Sequence, residues 1–110
     1  MGHEIVHQPR LAWDGARAFV AAADTDHLYP WLGRRLATLL GPAYREALTE
    51  SRWLVRLAER EEAPFVEVAK WRARLDDALR YHPELADGLR ALTADVVFRM
   101  AAPGKAAGRG

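Results

Sequence analysis

His3, Glu4 and His7 stand in the order H-E-x-x-H. At that spacing two imidazoles one helical turn apart can ligate a single zinc ion while the glutamate activates its water. The chemistry needs a rigid helix inside a folded cleft and a third protein ligand. Here the pattern begins two residues from the chain start, Pro9 follows it, and neither His27 nor His82 has a partner at ligand spacing. The match reads as adventitious, and no metal or other cofactor is expected.

Two carboxylate pairs come next, Asp24 with Asp26 and Asp76 with Asp77. General acid and base work requires two such groups facing each other across a substrate, with one pKa raised by burial. Asp24 and Asp26 read instead as helix caps, their oxygens accepting the free N–H groups of a following first turn. Asp76 and Asp77, beside Arg74 and Arg80, read as a solvated face. Ser51 is the only serine. It falls mid-helix on an apolar side, where its hydroxyl can bond back to the preceding turn. No Gly-x-Ser-x-Gly elbow and no glycine-rich phosphate loop is present. A catalytic assignment has no support, and a non-enzymatic protein is expected.

Arginine and aromatic residues are the more informative set. Arg34, Arg35, Arg45, Arg52, Arg56 and Arg60 could form a basic surface of the kind that reads duplex DNA through phosphate contacts. Glu46, Glu50, Glu59, Glu61 and Glu62 are interleaved among them and cancel the field, so a nucleic-acid partner is not expected. Trp13, Trp31, Trp53 and Trp71, with Tyr29, Tyr44 and Tyr81, are a large aromatic supply for one small core. Tryptophan, tyrosine and arginine are also the residues that anchor protein interfaces. Trp53 lies off the main stripe of its helix and Tyr29 precedes a proline. The expected interface residues are Trp31, Trp53 and Tyr29 as anchors, with Arg34, Arg35 and Arg52 at the rim.

The elements that must position these residues are helices. Leu11 to Ala23 is alanine-rich at helical spacing, with Gly15 costing about 1 kcal/mol relative to alanine. Pro30 opens a second helix to Leu40, with Leu32, Leu36, Leu39 and Leu40 on one face; Gly41 closes it. Pro42, Pro64 and Pro83 each stand where a helix can begin, because proline is tolerated in a first turn and breaks an interior. They divide the remainder into helices 42–60, 64–81 and 83–100. The buried stripe of the third is Tyr44, Ala47, Leu48, Ser51, Leu54, Val55 and Ala58, with Trp53 and Leu57 to one side. The fourth buries Val68, Trp71, Leu75, Ala78 and Leu79, with Arg72–Asp76 and Asp76–Arg80 as pairs on its exposed face. The fifth carries Leu85, Leu89, Leu92 and Val96 inward. No stretch alternates long enough to argue a strand. The expectation is an all-α antiparallel bundle of four to five helices, the last three strong and the first two weaker. Neighbours in sequence should pack together.

A chain of 110 residues is one domain with room for one core. The reading is an irregular segment 1–9, a helical domain 10–100 and a disordered tail 101–110. Lysine plus arginine number 16 against 15 acidic residues, and half the chain is hydrophobic, the balance of a globular protein. Cysteine is absent, so no disulfide and no thiolate-held metal can form. No apolar run approaches the ~20 residues that span a bilayer, and residues 1–7 lack a secretion-signal pattern; no membrane association and a cytoplasmic location are expected.

Two segments carry a family resemblance. One is Thr25-Asp26 followed by Leu32-Gly33-Arg34-Arg35-Leu36-Ala37-Thr38-Leu39-Leu40-Gly41. The other is Trp71-Arg72-Ala73-Arg74-Leu75 leading into Pro83-Glu84-Leu85-Ala86-Asp87-Gly88-Leu89-Arg90-Ala91-Leu92. Over residues 15–96 the chain resembles a family of small uncharacterised α-helical proteins common in actinobacteria. The resemblance implies a helical accessory or adaptor module and carries over no catalytic residue. The expected function is therefore a non-enzymatic module binding another protein or itself, with a DNA-binding or transcription-linked regulator as the alternative.

Overall fold

A computed structural model describes residues 8–58 and 61–101. The chain forms five α-helices: α1 (Gln8–Ala23), α2 (Tyr29–Leu40), α3 (Pro42–Leu57), α4 (Ala63–Tyr81) and α5 (Ala86–Ala101). One 3-10 turn, Pro83–Leu85, precedes α5, and the described residues contain no strand. The all-α bundle reading holds. The H-E-x-x-H pattern and the tail from residue 102 lie outside the described residues.

The punctuation acts largely as its chemistry dictates. Pro9, Pro30, Pro42 and Pro64 each occupy a helix first turn, so Pro9 belongs to α1 rather than to an irregular lead-in. Gly41 takes φ +114°, the one positive value among the described residues, and its N–H bonds the carbonyls of Leu36 and Ala37. That conformation strains any residue with a Cβ, so glycine is required at this joint. Pro83 differs from expectation. It starts a single 3-10 turn in which Leu85 N–H bonds His82 O at 3.0 Å, and the α-helix begins only at Ala86.

α1 is the centre of the molecule, not one of two weaker helices in front. It packs most extensively on α4 and α5 and also touches α2 and α3. Its alanines make this possible: Ala12, Ala16, Ala22 and Ala23 are buried, and short side chains allow neighbouring axes to approach. Consecutive α2 and α3 pack on each other as expected. Consecutive α4 and α5 instead meet chiefly through α1 and the 3-10 turn, so the expectation that sequence neighbours pair holds only in part. Around α1, the fully buried Phe19, Leu32, Leu36, Leu48, Trp71, Leu75, Leu79, Leu89, Leu92 and Val96 form one core. Phe19 meets Trp71 edge to face with centroids 5.8 Å apart.

Three further corrections concern single residues. α3 ends at Leu57 instead of running to residue 60; beyond it Ala58 is extended and exposed, with nothing to pack on. Leu54, expected inside, is exposed. The pairs Arg72–Asp76 and Asp76–Arg80 do not form; Arg80 reaches Asp77 at 3.7 Å instead.

Candidate interaction surface

The residues that could have done chemistry are engaged in holding the fold. Asp24 and Asp26 do not cap α2, whose N-cap residue Leu28 supplies no side-chain bond. They turn instead toward α3. Arg52 Nη2 and Arg56 Nη2 both donate to Asp26 Oδ1 at 2.6 Å, and Arg56 Nε donates to Asp24 Oδ1 at 3.0 Å. The same guanidinium groups close α1: Arg52 Nη1 donates to Ala23 O at 2.8 Å and Arg56 Nη2 to Asp24 O at 3.2 Å. Cations suit that end because the last carbonyls of a helix have no intrahelical partner and carry its negative pole. Hydrogen bonds from Arg52 and Arg56 hold the Asp26 carboxyl below its ordinary value, and the bond to Asp26 raises Arg56 further.

Ser51 is 1% exposed and does not bond back to its own helix. Its hydroxyl donates to Glu67 Oε1 at 2.7 Å and accepts from Trp71 Nε1 at 2.8 Å, while Lys70 Nζ donates to Glu67 Oε2 at 2.9 Å. Glu67, a buried carboxylate, was not legible as a core residue. Within this knot every polar group has a partner, which is the condition for burying it. Asp76 and Asp77 are adjacent on α4, so their side chains diverge by about 100° and cannot face one substrate. No group of three or more His, Asp or Glu side chains among the described residues could hold a metal ion.

The expected interface residues divide in two. Tyr29 and Trp31 are half-buried and serve internal joints. The Tyr29 hydroxyl pairs with Thr49 Oγ1 at 2.7 Å, and the Arg52 guanidinium lies 4.4 Å above its ring. Trp31 lies under two guanidinium groups, Arg99 at 4.1 Å and Arg35 at 5.5 Å, both bonded to Asp95. Arg35 and Arg52 are thus engaged within the fold. Arg34 is exposed and has no ion-pair partner among the described residues. Trp53 is 59% exposed on the side of α3 away from the core, one turn before Leu57 at 67%.

Sequence reasoning missed other exposed apolar groups: Phe65 and Val66 at the start of α4, and Val97 and Phe98 on α5. Neither pair falls on the stripe that its helix was expected to bury. Phe65 stands on a groove of about 530 Å³ between α1 and α4. Trp13, Arg17, Val20, Ala21 and Asp24 form one wall, Pro64, Phe65 and Val68 the other, and Val55 of α3 also lines it.

No family model, curated protein or solved structure matches the chain. Among the described residues no helix is long and apolar enough to cross a membrane.

Proposed function

We propose that this protein is a non-enzymatic helical module that binds another protein, with Trp53 and Leu57 on the outer face of α3 as its anchors. One observation carries the reading: two large apolar side chains, one turn apart, face solvent on a helix whose opposite side already supplies the core. Full burial of each against a partner would contribute about 2 kcal/mol. Anchors of that type dominate binding energy in protein interfaces. Tyr29 and Trp31 are not included, because their hydroxyl and ring faces already have partners inside the molecule. The DNA-binding alternative has less to stand on. Arg35, Arg52 and Arg56 already bond Asp95, Asp26 and Asp24, which removes their charge from a phosphate-reading surface.

The test compares wild type with Trp53→Asp and Leu57→Asp, first for oligomeric state by light scattering and then by affinity purification from native lysate. The expected result is an assembly or co-purifying protein that both variants lose while their thermal midpoints stay unchanged. A monomer that recovers nothing, or variants that recover the same proteins, would overturn the reading.

A further inference from the structure

We propose that the groove between α1 and α4 takes an acidic amphipathic helix from a partner protein. The proposal deepens the interaction reading and rests on it, but it assigns a second surface with its own recognition chemistry.

Apart from Arg17 and Asp24 the lining is apolar, and two aromatic rings stand at its margins. Trp13 is 42% exposed and Phe65 74% exposed, so each has ring surface available to cover an occupant. The lining runs from Trp13 on α1 to Asp24, one residue past the helix end, about 16 Å at helical rise. That length matches three turns of a docked helix, read by apolar anchors at i, i+4 and i+7.

Charge decides what flanks those anchors. Arg17 lines the groove and Arg72 lies over the Trp13 ring at 5.9 Å. Neither has a carboxylate within ion-pairing distance among the described residues. The acidic residue on the lining, Asp24, is already paired with Arg56 at 3.0 Å. On α1 the nearby Asp14 leans to Arg10 at 3.8 Å. The Trp13 end therefore presents two unpaired cations beside an apolar slot. A helix with a leucine or phenylalanine stripe and glutamates beside it satisfies both features, whereas lysines at those positions would meet like charge.

The test uses the full chain labelled with nitrogen-15 and two synthetic 18-residue helical peptides. Both carry the same leucine stripe; one is flanked by glutamates and the other by lysines. The glutamate peptide is expected to bind saturably and shift the Trp13 indole N–H and the Phe65 and Val68 amides. The lysine peptide should bind roughly 10-fold more weakly. Arg17→Glu with Arg72→Glu should reverse that preference, and Phe65→Ser should weaken both peptides. Trp53→Asp should leave glutamate-peptide binding intact, so failure at one surface is distinguishable from failure at the other. Circular dichroism and thermal melts confirm that each variant folds. Equal affinity for the two peptides, no binding of either, or shifts centred on Trp53 would overturn the proposal. Shifts at Trp13 that appear on concentrating the protein alone would overturn it in favour of a second copy as the occupant.

Discussion

Trp71 Nε1 donates to Ser51 Oγ at 2.8 Å, joining two helices through residues 20 positions apart. Ser51 passes the bond on to Glu67, and Glu67 is held from its other oxygen by Lys70. The hydroxyl accepts the indole N–H and donates to the carboxylate at once. Chemically it is a relay in the packing of α3 on α4.

Ser51→Ala should lower stability by about 1–3 kcal/mol, because it leaves a buried indole N–H and one carboxylate oxygen without partners. Denaturant midpoints measure the loss. The double variant with Glu67→Gln should cost less than the two single variants added together, since both disrupt one network. Strict additivity would show that the knot is not coupled.

Gly15→Ala should destabilise by about 1 kcal/mol despite alanine's better helix propensity, since overpacking outweighs it here. A Cβ at Gly15 would lie 3.1 Å from Leu75 Cδ1 and 3.3 Å from Thr93 Oγ1, both on buried residues of the helices that flank α1. Gly33→Ala is the internal comparison. Its Cβ would meet the aliphatic Arg45 chain at 3.4 Å, and that flexible chain can move. Thermal melts should show Gly15→Ala reduced and Gly33→Ala unchanged or raised.

Asp26 makes part of the stability acid-sensitive. Its folded pKa lies below the ordinary 3.8 because Arg52 and Arg56 bond the charged form. The contribution is therefore present above about pH 4 and is lost as pH falls through the depressed folded value. Urea midpoints of wild type and Asp26→Asn should differ near pH 6 and converge in acid. A gap that persisted below about pH 2 would assign the effect to shape rather than charge.

Asp95 positions the two cations over Trp31. Asp95→Asn should loosen both Arg35 and Arg99, with a stability change of at most ~1 kcal/mol because the ring and guanidiniums are partly solvated. Fluorine NMR of 5-fluorotryptophan-labelled protein isolates the Trp31 signal from the other three. A shift at Trp31 with the Trp71 signal unmoved is the expected outcome; an unmoved Trp31 would separate Asp95 from that joint.

Helix existence was legible from the chain alone. Pro42, Pro64, Gly41 and the stripe Trp71, Leu75, Ala78, Leu79 state their roles locally, because proline's missing donor, glycine's freedom and the 3.6-residue period act within one segment. The exposure of Trp53 was likewise readable from its place off the main stripe of its helix, whereas Leu57 read only as lying to one side of that stripe. Which helix would be central was not. Ala12, Ala16 and Ala22 fit a weak surface helix as well as a close-packed one, and burial depends on what docks against them. Nor could residue types select between partners of similar chemistry. Asp26 could cap α2 or bind α3, and Ser51 could bond its own turn or Glu67. Only the docking of α3 beside α1 and α4 decided those choices, by bringing Arg52 and Glu67 within reach where the local alternatives offered fewer bonds.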